Sequence, residues 1–264
     1  VYGWQGSEAL QLVTDGTLEI EGRLLDASNV TLYCTVRLNG ISAPAVYKPV
    51  RGERPLWDFP EGTLAGREVA SYLLACSAEL STIPPTVLRD GPLGAGMVQL
   101  WVDTSEAELV DVLGPDEVPP GWRTVLHAYD RGGSPVVVAH SDHPRVRDMA
   151  VLDAVLNNAD RKGRHVVQGT DGEVYGLDHG ICLHAEPKLR TVLWGWAGED
   201  LPADAVEKLR KLLADLDGTL GEQLAAHLTA AEVEAVRSRA SALIAEGAFP
   251  VPVDNARAVP WPLF

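Results

Sequence analysis

Four charged residues stand where the surrounding sequence makes a lone charge costly. Lys48 lies in the apolar run Ala45-Val46-Tyr47-Lys48-Pro49, and Glu68 follows 20 positions later (48 to 68), after Arg67, in a stretch with helical periodicity. Asp160 ends Asn157-Asn158-Ala159-Asp160-Arg161, and Asp178 ends the apolar run Val174-Tyr175-Gly176-Leu177 just before His179-Gly180. The two aspartates are 18 positions apart (160 to 178). Between them lie the short apolar pair Val166-Val167, a turn at Thr170-Asp171-Gly172 and a second strand, so both sit at the mouth of one hairpin. One such carboxylate can orient or deprotonate a hydroxyl while the other, a hard oxygen ligand, holds Mg²⁺ or Mn²⁺ on a nucleotide phosphate. Glu68 is the natural counter-ion for Lys48, and the pair can present an ammonium to phosphate oxygens. Arg161 can brace the loop or neutralise the second carboxylate. In this order the set reads as phosphoryl-transfer chemistry.

These residues need elements to hold them. The first hundred residues read as strands with one helix. Val30–Val36 is β-branched and aromatic, Asn39-Gly40 is a hairpin turn signal, and Ala45–Lys48 is the returning strand. Leu64–Leu80 carries Val69, Leu73 and Leu74 at helical spacing, and Pro84-Pro85 ends it. Val87–Arg89 and Met97–Val102 read as strands around Asp90–Gly96. That glycine-rich segment lacks the Gly-Lys-[Ser/Thr] of a phosphate-binding P-loop and reads as a hairpin turn. After Asp103 the pattern turns to helices and loops: a short helix at Glu106–Leu113, a Pro-rich break, and a longer helix at Asp142–Asn158 with its apolar residues toward one face. Two or three helices close the chain, one opened by the capping-box pattern Thr229-x-x-Glu232. His140-Ser141-Asp142-His143 reads as a loop leading into a helix rather than a metal tract. Trp194-Gly195-Trp196 suits either core packing or acceptor selection. The Pro-rich tail from Phe249 is expected to lie against the body. The fold class is α+β, with a β-rich N-lobe over residues 1–102 and a helical C-lobe over 103–264.

The series Lys48, Glu68, Asp160-Arg161 and Asp178-His179-Gly180 resembles the phosphoinositide 3-/4-kinase-like branch of the protein-kinase-like fold. The likeness is to the small actinobacterial members in particular, and more distantly to HipA-type kinases. It runs over nearly the whole chain and is densest at 45–74 and 150–183. The resemblance implies a catalytic Asp160 and a metal ligand at Asp178. It places Gly22–Asn29 over the nucleotide, with Ser28 and Asn29 at the turn, and Gln99–Val102 at the interlobe hinge. There the backbone of Leu100, Trp101 or Val102 meets the adenine edge. It also implies ATP with Mg²⁺ or Mn²⁺. Two positions depart from the pattern: Lys162 replaces the loop histidine, and His165 replaces the metal-binding asparagine. An imidazole at that position tilts the site toward Mn²⁺ or another transition metal.

The formal net charge of −15 argues against a nucleic-acid partner or an anionic membrane surface. No apolar run approaches the roughly 20 residues of a membrane span, and no secretory signal pattern opens the sequence. Cys34, Cys76 and Cys182 show no Cys-x-x-Cys pairing and suit buried thiols in a reducing compartment. A cytoplasmic kinase is the expectation, with a protein hydroxyl (its own included) or a small polyol as acceptor. Two alternatives stay open. One is a nucleotide-binding pseudokinase or scaffold, favoured by His165 and by the missing Gly-x-Gly-x-x-Gly. The other is adenylyl transfer to a protein.

Overall fold

The computed structural model describes residues 6–25, 29–60, 62–80, 82–252 and 258–264. Helix α1 (Ser7–Asp15) leads into strand β1 (Thr17–Leu24), which pairs antiparallel with β2 (Thr31–Leu38); β2 pairs with β3 (Ile41–Pro49). Helix α2 (Leu64–Ser77) follows, then β4 (Thr86–Gly91) and β5 (Gly94–Leu100). All pairings are antiparallel and the order is β1-β2-β3-β5-β4. Asn39 (φ 50°) and Gly40 (φ 81°) take the left-handed backbone that a two-residue hairpin turn requires. The Gly91–Gly94 turn joins β4 to β5 as the sequence predicts.

Strand period decides which side chains meet the cleft. Along β3, Ala43, Ala45 and Tyr47 are buried with Leu12 and Val13 of α1, while Val46 and Lys48 alternate to the other face. On that face α2 packs Ala65 and Val69 against Met97, the cross-strand partner of Lys48. The N-terminus of α2 is closed twice over. Thr63 Oγ1 accepts the Gly66 N–H at 2.9 Å, and the Glu53 carboxylate accepts the Leu64 and Ala65 amides at 2.9 and 2.8 Å.

Beyond β5, three strands form a sheet that the sequence reading did not contain: β6 (Val110–Leu113), β7 (Trp122–Tyr129) and β8 (Pro135–Ser141), in the order β6-β8-β7. The expected helix at Glu106–Leu113 is therefore corrected. Val110 and Val112 pair with His140 and Val138 across the ladder, and that long-range pairing overrides a local helical pattern. The His140-Ser141 dipeptide ends β8 rather than lying in a loop. α1 is likewise an addition to the expected single helix of the first hundred residues.

Helix α3 (Pro144–Leu156) is buried almost all round from Met149 to Leu156, not along one face. It ends at Asn157, which is left-handed (φ 53°). A short turn leads into the hairpin β9 (Val166–Gln168) and β10 (Val174–Gly176), as expected. Helices α4 (Ala203–Asp215), α5 (Thr219–Leu224) and α6 (Ala230–Glu246) complete the body, and α6 opens with the predicted Thr229–Glu232 capping box. Together with α2 and α3 they build the main core, into which Trp196 is buried. Core packing is thus what Trp196 does, while Trp194 is half-buried. The tail lies against the body: Ala258 O accepts hydrogen bonds from Thr191 N (3.0 Å) and Trp194 Nε1 (2.7 Å).

Candidate active site

A cleft of about 610 Å³ runs between the five-stranded sheet and the helical region. Lys48, Glu68, Asp160, Lys162, His165 and Asp178 all line it, so the fold gathers residues spread over 130 positions (48 to 178). Lys48 Nζ donates to Glu68 Oε1 at 2.6 Å and to Asp178 Oδ1 at 3.2 Å. Glu68 is buried, and its Oε2 accepts the His179 N–H at 3.0 Å. One glutamate thus ties together β3, α2 and the segment after β10. Burial alone would lower the Lys48 pKa. Asp178 and Glu68 beside it more than offset that, so the ammonium is held above its ordinary range. The same contact holds the Asp178 carboxyl well below the usual carboxylate range, with burial opposing. Asp178 has a left-handed backbone (φ 57°), which aspartate tolerates better than most side chains.

Asp160 sits in the turn after α3, where its N–H donates to Asn158 Oδ1 at 2.9 Å. Lys162 Nζ lies 3.2 Å from Asp160 Oδ2. Burial raises the Asp160 pKa and Lys162 pulls it back. His165 Nε2 is 3.7 Å from Asp178 Oδ2. Burial pushes the His165 pKa down to about 4 against the pull of Asp178, so the ring is neutral at pH 7. An ionised carboxylate and a neutral imidazole this close together fit two ligands of a divalent cation. Among the described residues no third His, Cys, Asp or Glu joins them, so the remaining ligands would come from phosphate and water.

Arg161 does not enter the cleft. It is fully buried and forms a fork with Asp153, Nε to Oδ2 at 3.0 Å and Nη2 to Oδ1 at 2.9 Å. Its Nη1 donates to Leu177 O at 2.8 Å. Nη2 also lies 2.7 Å from His179 Nε2, and burial and the neighbouring guanidinium push the His179 pKa well below 6.5. A neutral imidazole there accepts from Arg161. Asp153 further accepts from Asn158 Nδ2 (3.0 Å) and Thr191 Oγ1 (3.2 Å). Arg161 is therefore a positioning residue that joins the Asp160 turn to the Leu177–His179 segment. Asp153, which sequence reasoning missed, is its anchor. The trace of it in the sequence was an acid inside the otherwise apolar run Met149–Leu156.

The nucleotide-covering and hinge expectations are met unevenly. Ser28 lies outside the described residues. Asn29 lines the cleft, with its Oδ1 taking the Arg54 N–H at 2.8 Å. Leu100, Trp101 and Val102 all line the cleft. The Leu100 N–H is bound to Pro85 O and the Trp101 N–H to Pro44 O, both at 3.1 Å, so these two amides are spent inside the protein. The expectation that the backbone of Leu100, Trp101 or Val102 meets an adenine edge is thereby narrowed to their other backbone groups. Trp101 is set edge-on to Tyr33, with ring centroids 5.1 Å apart.

Comparison with known proteins bears on the fold and on kinship. The structure superposes on the crystal structure of the Golgi casein kinase with a TM-score of 0.55 at 15% identity, covering 92% of this chain and 75% of that one. A looser likeness, TM-score 0.45 at 12% identity, is to the Helicobacter pylori proinflammatory kinase CtkA, over 89% of this chain and 94% of that one. The fold is accordingly α+β and kinase-like, with a β-rich N-terminal region and a helical C-terminal part. No family model matches the chain. Protein Rv2133c of Mycobacterium tuberculosis is 47% identical over 263 residues, spanning 96% of this chain and 94% of the relative. The chain belongs to the family of protein Rv2133c, with a kinase-like fold.

Proposed function

We propose that this protein is an ATP-dependent phosphotransferase of the phosphoinositide 3-/4-kinase-like kind, with its lobes meeting near Val102 and Asp103. The observation that carries the reading is the Lys48–Glu68–Asp178 set in one cleft with Asp160. Lys48, kept charged by its two carboxylates, binds the nucleotide phosphates. Asp178 and His165 would hold Mg²⁺ or Mn²⁺, which supplies charge neutralisation on the phosphates. Asp160 accepts a hydrogen bond from the acceptor hydroxyl and orients its oxygen toward the γ-phosphorus. As that P–O bond forms, the bond to ADP breaks and the hydroxyl proton passes late to Asp160, since a loose transition state needs no strong base. Lys162 holds the Asp160 carboxylate in place and adds positive charge beside the transferred group.

The acceptor is a hydroxyl on a protein, including this protein itself, or on a small polyol. The acidic chain disfavours nucleic acid. No described helix is long and apolar enough to cross a membrane. The proposal is of a cytoplasmic enzyme without stable membrane anchoring. A pseudokinase is the second reading, favoured by the two-residue metal pair. Adenylyl transfer is distinguished by mass.

The test is intact-mass analysis and ADP release after incubation with ATP and Mg²⁺ or Mn²⁺. A phosphate-sized increment or ADP release that is lost in Asp160→Ala and Asp178→Asn supports the proposal. An AMP-sized increment supports adenylyl transfer. Thermal stabilisation by ATP without turnover, for an array of protein and polyol acceptors, supports the pseudokinase.

A further inference from the structure

The turn that carries Asp160 and His165 is held from behind by a segment far from it in the chain. Gly163, which lies between the two, is buried and opens the short 3-10 turn Gly163–His165. Its N–H donates to Leu263 O at 2.8 Å. The Phe264 ring occupies the space that a Cβ on Gly163 would take. Gly163 is not one of the left-handed glycines, so its backbone would accept a side chain, and what excludes one is the ring. The same segment is anchored at its other end. Ala258 O accepts hydrogen bonds from the Thr191 N–H at 3.0 Å and from Trp194 Nε1 at 2.7 Å. Thr191 in turn bonds Asp153, the anchor of Arg161, through its hydroxyl. Pro260 is buried, and Leu263 and Phe264 pack against the main core. Residues 258–264 thus cross from the Thr191 side to the Gly163 side of one turn.

We propose that the 258–264 segment is a strap that sets the geometry of the Asp160–His165 turn, with Phe264 and Gly163 as a matched pair of positioning residues. The ring fills the space left by the missing side chain, so neither can change alone without moving the turn. An irregular turn takes its shape from the groups its amides reach. Here the amides of Asp160, Arg161 and Gly163 donate to Asn158 Oδ1, Arg190 O and Leu263 O, all outside the turn. The His165 N–H closes on Lys162 O within it. Leu263 O therefore holds the middle of the turn, between the carboxylate that orients the acceptor and the imidazole that faces the metal. Neither Leu263 nor Phe264 lines the cleft, so the strap acts on the chemistry through the turn alone. A shift there changes how Asp160 and His165 are set while Lys48 and Glu68, on β3 and α2, stay in place. The effect on catalysis rests on the phosphotransferase reading, whereas the mechanical link does not.

Amide hydrogen exchange of the full chain, followed by NMR, tests that link without any activity. In Phe264→Ala the Gly163 and His165 amides should exchange at least about tenfold faster, relative to amides in the middle of α2. Gly163→Ala should do the same, because the new methyl displaces the ring. The two changes together should be no worse than Phe264→Ala alone, since removing the ring makes room for the methyl, and unrelated losses of stability would instead add. Gly163→Ala, which takes nothing out of the core, decides the matter if Phe264→Ala does not fold. In phosphoryl transfer, Phe264→Ala should lower kcat by about tenfold or more and leave the KM for ATP within about twofold. Unchanged relative exchange in either single variant, or effects of the two that simply add, overturns the strap. A normal kcat in a variant whose exchange has risen overturns its part in catalysis. If the unaltered protein transfers nothing, the proposed function has failed, and the exchange cycle still decides the strap.

Discussion

Two cation–carboxylate networks lie on either side of the Asp178-His179 dipeptide, and they differ in one respect that matters. Lys48, Glu68 and Asp178 form a network that opens to the cleft: the Asp178 side chain is 50% exposed and that of Lys48 23%. Asp153 and Arg161 form a network sealed beneath it, both at 0%. The Asp153–Arg161 pair at the centre of the closed network is held by a fork, a carbonyl, an imidazole and a hydroxyl, and so it fixes geometry. Asp178 in the open network has a contact with Lys48 and room for more, so it can exchange protein contacts for ligand contacts. Burial, rather than residue type, separates scaffold from candidate chemistry here.

Breaking the closed network should have the largest effect on the fold. Asp153→Ala strands a buried guanidinium, and it is expected to cost about 3–5 kcal/mol in urea unfolding, with activity lost through the fold. Asp178→Asn should behave in the opposite way. Asparagine keeps the left-handed backbone and the shape, so the unfolding free energy should move by less than about 1 kcal/mol. Phosphoryl transfer should nevertheless fall by about 100-fold or more, measured as ADP release. If Asp178→Asn unfolds the protein as Asp153→Ala does, the distinction between the two networks fails.

Acid sharpens the comparison. His165 beside the open network has its pKa pushed down to about 4 by burial, and His179 in the closed one lies well below 6.5. The unfolded chain takes up these protons first as pH falls below about 6.5, so stability is full above that value and declines toward pH 4. The decline from His165 should reach about 3 kcal/mol by pH 4, and His179 adds to it in the same direction. Unfolding curves of His165→Asn across pH 4–7 should be flatter than those of the unaltered protein by that share. The smallest effect belongs to an exposed pair: Glu207→Gln, next to Arg210 on α4, should change the unfolding free energy by less than about 0.5 kcal/mol.

Much of the site was legible because its residues are chemically conspicuous. A lysine in an apolar strand and an aspartate closing another need partners, and the tertiary structure brings Lys48 and Asp178 within 3.2 Å. The capping box at Thr229 and the turn at Asn39-Gly40 were legible because their physics is local. The β6-β8-β7 sheet was not, because its strands gain their stability from partners up to about 30 residues away, and their local pattern does not record it. Asp153 was not legible either, because nothing in its local pattern records that it will be sealed against Arg161 and Thr191.

The sequence by itself determined which residues are costly unless paired, where the tight turns fall, and the order of the chemical groups along the chain. Only the tertiary structure decided which charges share a cleft and which are sealed. Arg161 follows Asp160 directly in the chain, yet one is buried on Asp153 while the other lines the cavity. Side-chain direction at a turn depends on what packs against it, and that is set by Asp153 on the preceding α3 together with the Leu177–His179 and Thr191 segments, which arrive from farther along the chain.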